Sequence, residues 1–78
     1  MKALYLKADG WCAVYVNGIA VFQDHSIQPM EMLRLATKFC FGFDDVHVAW
    51  ANDEDWDECE ESGQFPELTE ELKGSYEP

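Results

Sequence analysis

Two turn dipeptides near the N-terminus, Asp9-Gly10 and Asn17-Gly18, most constrain what this chain can fold into. Each readily takes the positive backbone angles of a tight hairpin, and each is flanked by short alternating runs of apolar residues. Leu4 and Leu6 alternate with Tyr5, Cys12, Val14 and Val16 with Ala13 and Tyr15, and Ile19 and Val21 with Ala20 and Phe22. The pattern predicts a three-stranded antiparallel meander over Lys2 to Gln23. Both of its faces are fairly apolar, so one packs on a helix and the other is partly covered.

The helix is predicted to begin after Gln28, with Pro29 at its first position and Glu31 at its third. Met32, Leu33, Ala36, Phe39 and Cys40 follow the i, i+3, i+4, i+7 rhythm of a helix lying on a core, and Gly42 is the expected stop. Val46, Val48 and Trp50 then alternate with His47 and Ala49, which reads as a fourth strand. The expected class is α+β with the order βββαβ over residues 1–51. Residues 52–78 form an acidic C-terminal segment within the same single domain, because 78 residues supply one core and not two. In that segment a short helix is expected after Asn52 and before Gly63, and another from Pro66 to Lys73, anchored by Leu68 and Leu72. The last four residues are expected to fray. A core this small gains from a contact between two copies, so a homodimer is within the expectation.

The formal charge of −11 is unevenly placed. Residues 1–43 carry three acids and four bases, whereas residues 44–78 carry thirteen acids and only Lys73. Such a field repels nucleic acid and anionic membrane, so neither is an expected direct partner, and it steers association toward a basic protein surface. No apolar run is long enough to span a bilayer, and Lys7 and Asp9 interrupt the N-terminal stretch too early for a signal peptide. The three cysteines, Cys12, Cys40 and Cys59, contain no CxxC pair and are odd in number. They read as reduced thiols in a cytoplasm, outside any disulfide framework or standard zinc site.

Seven of the nine residues from Asp53 to Glu61 are acidic. Duplex DNA carries about one negative charge per 1.7 Å of axis. A helix rising about 1.5 Å per residue spreads these carboxylates at about one per 2 Å. The candidate partner-binding residues are therefore Asp53, Glu54, Asp55, Asp57, Glu58, Glu60 and Glu61, standing in for phosphates. Asp44, Asp45, Glu67, Glu70 and Glu71 extend the patch, and Trp56 either pins the segment to the domain or acts as an apolar contact anchor. A solvated acidic tail is the plainer alternative. Trp56, Cys59, Phe65, Leu68 and Leu72, interleaved with the acids, argue instead for an ordered surface. Asp53, Asp55 and Asp57 match the opening of an EF-hand loop, but Glu58 stands where that loop needs Gly and Gln64 where it needs Glu. No metal or other cofactor is expected. His25 and His47 are not spaced to form a nucleophile–base pair with a cysteine, and the expectation is a non-catalytic protein.

In length, charge and the Asp53 to Glu61 cluster the chain resembles the small acidic inhibitors encoded by bacteriophages and mobile elements. These include DNA-mimicking anti-CRISPR proteins and inhibitors of uracil-DNA glycosylase or restriction enzymes. The resemblance is to a class and rests on no motif that covers the chain. It implies occupation of the DNA-binding surface of a nucleic-acid-binding complex, a CRISPR surveillance complex foremost, in a bacterial host cytoplasm. A nuclease-immunity protein or antitoxin is the neighbouring reading, and an adaptor binding through an apolar sheet face with Tyr5, Trp11, Tyr15 and Phe22 is the reading of a different class.

Overall fold

The computed structural model describes residues 2–76, which form an α+β domain built on a four-stranded mixed sheet. Strands β1 (Ala3–Ala8), β2 (Trp11–Val16) and β3 (Ile19–Asp24) make the antiparallel meander. Asn17 and Gly18 both take left-handed angles, φ 52° and 84°, as the two central residues of a hairpin turn whose twist matches its strands. In the first hairpin only Gly10 does so. Val21 is an extra residue in β3, since Val14 pairs with Phe22 but Tyr15 with Ala20, and the strand bends there.

Helix α1 (Pro29–Phe39) follows, and then a single 3-10 turn at Phe43–Asp45 leads into β4 (Val46–Trp50). Strand β4 lies parallel to β1, giving the order β3-β2-β1-β4. Helix α1 stops earlier than Gly42 predicts. Cys40 takes the left-handed conformation at φ 57°, and the Phe41 N–H reaches back to the Ala36 carbonyl, closing the helix two residues before the glycine.

Alternation divides the sheet into two faces. Leu4, Leu6, Ala8, Trp11, Ala13, Tyr15, Ala20 and Ala49 face the larger core, which is closed by Cys59, Phe65 and Leu72. Ala3, Val16 and Val46 face the smaller core under α1, with Phe41, Leu35, Ala36 and Phe39. None of the α1 residues is fully buried, whereas Leu6, Ala13, Val14 and Phe65 are wholly so. The acidic half therefore closes the main core, and removing it would expose Tyr15 and Leu6 to water.

The C-terminal half departs from expectation after Gly63. Helix α2 (Asp53–Ser62) packs on the larger core through Trp56 and Cys59, and Gly63 at φ 92° ends it. Beyond it, among the described residues, there is no second helix of the expected length. Pro66 to Leu68 pass beside the start of β3 with a bend at Glu67, the Ala20 N–H donating to the Glu67 carbonyl and Leu68 making a single bridge to Ile19. One 3-10 turn, Thr69–Glu71, then returns the chain so that Leu72 drops into the core. Backbone pairing with β3 satisfies the peptide groups that a helix would have paired internally.

Candidate functional site

Helix α2 is held by side chains that the sequence hides among its acids. Asn52 caps it, its Oδ1 accepting from the Asp55 N–H at 2.9 Å. Trp56 is half-buried against the main core and Cys59 is buried within it. Positions 55, 56 and 59 thus form the inward stripe of the helix, with the exposed Asn52 capping it.

Asp55 lies on that stripe and is only 2% exposed. Its Oδ1 accepts from the Lys73 N–H at 2.7 Å, and its Oδ2 accepts from the Gly74 N–H at 2.9 Å and the Tyr76 hydroxyl at 2.5 Å. Tyr76 in turn accepts from the Asn52 N–H at 2.9 Å, so cap, carboxylate and C-terminal segment form one closed network. A Cβ at Gly74 would lie 2.6 Å from the Asn52 side chain, so the close approach of this backbone requires glycine. Asp55 is accordingly corrected from a surface contact to an internal staple: its charge is consumed by three donors and none of it faces a partner. Trp56, likewise, pins the helix. Tyr76, expected to fray, is the residue that sequence reasoning missed; residues 77 and 78 lie outside the described residues.

A second staple fastens the segment to β3. The Gln23 side chain accepts from the Phe65 N–H and donates to the Phe65 carbonyl, both at 2.8 Å, while also accepting from Trp11 Nε1 at 3.0 Å. The Tyr15 hydroxyl donates to the Pro66 carbonyl at 2.6 Å. Burial, reinforced by the Asp55 charge, raises the Tyr15 phenol above its ordinary value of 10.0. Burial and the same carboxylate push Tyr76 up to about 12, despite the hydrogen bond from Asn52 that works the other way. Both phenols thus favour the protonated form in the fold, so their contribution is complete below the unfolded value near pH 10 and is lost as pH rises through about 12 for Tyr76. We expect tyrosinate absorbance to rise late and together with loss of near-ultraviolet circular dichroism. Titration of these phenols with the fold intact would contradict the assignment.

With Asp55 turned inward, Asp53, Glu54, Asp57, Glu58, Glu60 and Glu61 stand exposed on the outer side of α2. Their spacing remains about one charge per 2 Å along the helix. Glu58 and Glu61 also meet Glu67 and Glu71 across a cleft of about 590 Å³, floored by Phe65 and Pro66. Asp44, Asp45 and Glu70 line a different groove, together with His47 and Lys2. The extended patch is thus two surfaces: Glu67 and Glu71 join the α2 array, whereas Asp44, Asp45 and Glu70 sit beside the start of β4. The only ion pair among the described residues is Lys73 Nζ to Glu58 at 3.8 Å, half exposed at both ends and worth about 0–1 kcal/mol.

Two other readings meet this geometry. Asp53, Asp55 and Asp57 lie on a helix with Asp55 facing inward, so they do not converge as an EF-hand loop would, and no three His, Cys, Asp or Glu side chains among the described residues are grouped to hold a metal ion. The aromatic sheet face does not exist as one surface. Leu4 pairs with Tyr15, which puts Tyr5 on the opposite side of the sheet from Tyr15; Tyr15 is 1% exposed and Trp11 is half-buried. No helix among the described residues is long and apolar enough to cross a membrane. No protein-family model, curated protein or solved structure matches the chain.

Proposed function

We propose that this chain is a non-catalytic inhibitor that places the outer carboxylates of α2 where nucleic-acid phosphates would lie, occluding the DNA-binding surface of a defence complex in a bacterial host, in the manner of an anti-CRISPR protein. The observation that carries this reading is the display of six exposed acids on a helix whose remaining acid is buried as a staple. A solvated tail needs no cap, no core anchors and no closed hydrogen-bond network. Here all three hold the charges in fixed register, which lowers the ordering cost of binding. Like charges one turn apart, Asp53 with Asp57, Glu54 with Glu58 and Asp57 with Glu61, repel by a few tenths of a kcal/mol per pair. That cost is recovered only when a basic surface neutralises the array.

A groove lined with Lys and Arg for phosphates would accept this helix through charge-assisted hydrogen bonds, and the field would speed encounter. An immunity protein or antitoxin covering a basic nuclease site would use the same surface by the same mechanism, so the partner's identity separates these cases. The test is recovery of partners from host lysate on the tagged protein at low and at high salt. A nucleic-acid-processing complex that is captured at low salt and released by high salt is the expected result. A partner that has no nucleic-acid-binding surface and withstands high salt would overturn the proposal.

A further inference from the structure

Strand β4 ends the sheet, and among the described residues nothing pairs with its outer edge. The Ala51 N–H donates to the Lys7 carbonyl, and Lys7 is in register with Trp50. In a parallel ladder, alternate residues of a strand turn their peptide groups to the same neighbour. His47, Ala49 and Ala51 therefore bond to β1, which leaves the peptide groups of Val48 and Trp50 and the Val46 carbonyl directed outward. The Val46 N–H is already used, donating to the Phe43 carbonyl. The strand itself carries no proline, no bulge and no formal charge in Val-His-Val-Ala-Trp. Its side chains on the α1 side are also uncovered, Val48 at 54% and Trp50 at 64% exposure, because α1 lies over Ala3, Val16 and Val46 instead.

We propose that this edge joins two copies of the chain, β4 pairing antiparallel with β4 about a two-fold axis through Val48. The register is fixed by which groups are free. Val48 exchanges both of its hydrogen bonds with Val48 of the second copy, and each Trp50 N–H reaches the opposite Val46 carbonyl. Each Trp50 side chain then lies beside the opposite Val46 on the same face, and the two Val48 side chains meet at the axis.

The edge is self-complementary, because its free N–H and C=O groups match those of their own two-fold copy about Val48, and this selects a second copy as the occupant. β1 and β4 contain no Asp or Glu, so two chains of −11 approach here with the least repulsion. Lys7 Nζ rests over the Trp50 ring, 4.8 Å from its centroid, and so projects onto β4. The antiparallel register carries this cation toward Asp44 and Asp45 of the second copy, which precede its β4. A two-fold axis perpendicular to the sheet leaves both α2 helices on one side of an eight-stranded sheet, and pairing does not cover them.

The test is sedimentation velocity over a range of concentration and salt, combined with one cysteine placement. Wild type is expected to dimerise, and more tightly as salt rises, because screening relieves the mutual repulsion of two −11 chains; a basic partner on α2 would respond in the opposite sense. Val48→Pro removes an outward N–H that the β1 ladder does not use. It is expected to be monomeric with unchanged circular dichroism, as is Val48→Lys. In a Cys40→Ser background, Val48→Cys is expected to be joined across the axis by a short bismaleimide cross-linker. A directly opposed hydrogen-bonded pair holds its Cβ atoms about 5.5 Å apart, wider than the roughly 3.5–4.5 Å of a disulfide and within reach of the linker. Val46→Cys, displaced along the strand from its own copy, is not expected to cross-link. A wild type that stays monomeric at millimolar concentration in high salt, or a dimer in which Val48→Cys fails to cross-link, would overturn the proposal.

Discussion

Replacing Asp55 by alanine is expected to cost this domain most of its stability, although six of the seven acids in the same run are dispensable to the fold. The substitution leaves the Lys73 and Gly74 N–H groups and the Tyr76 hydroxyl facing an apolar methyl. Each unsatisfied buried donor costs about 1–3 kcal/mol, so the sum is comparable to the whole stability of a domain this size, of order 5 kcal/mol. Asp55→Asn should fall between, since its amide oxygen still accepts while its NH₂ meets a donor. Urea denaturation followed by circular dichroism is the measurement. A variant with an unchanged midpoint would mean that the network contributes nothing and that α2 is held by Trp56 and Cys59 alone.

Reversing Asp57 and Glu58 to lysine should have the opposite character. The two changes move the formal charge from −11 to −7 and convert all three repelling i, i+4 pairs of α2 into attracting ones. The gain is about 1 kcal/mol, partly offset by loss of the exposed Glu58–Lys73 contact. The thermal midpoint should therefore hold or rise. Under the proposed function, affinity for the basic partner should fall by at least about thirtyfold, since unpairing a buried charged contact costs roughly 2–5 kcal/mol. Titration calorimetry with the captured partner reads this directly, and binding at wild-type strength would remove α2 from the interface.

The contrast between Asp55 and its neighbours also shows how far the sequence could be read. The meander was legible because Asn17-Gly18 and Asp9-Gly10 are local signals that fix a turn whatever surrounds them. The place of β4 beside β1 was not, because pairing between strands so far apart in the chain depends on the packing of everything between them. The outward position of Val48 and Trp50 escaped for the same reason: an apolar alternation marks a face but does not say whether a helix covers it. The end of α1 at Cys40 was obscured by Gly42, a stronger cue two residues too late.

At the candidate site, the exposed acids follow from the cluster itself. Asp55 was detectable in principle: Trp56 and Cys59 share one helical stripe, and an acid on that stripe has to find donors. Its donors are backbone N–H groups of Lys73 and Gly74 and the hydroxyl of Tyr76, which no residue pattern near Asp55 announces.

The division of labour along α2 bears on how such a protein can change over generations. Asn52, Asp55, Trp56 and Cys59 hold the helix in place, and the outward positions contribute almost nothing to keeping it there. Substitutions at the outward positions can accumulate without loss of the folded state, each one altering the pattern of charge offered to a target. Under the proposed function, a target that escapes by rearranging its basic residues can thus be followed by ordinary point mutation at six sites, on a scaffold that tolerates the search.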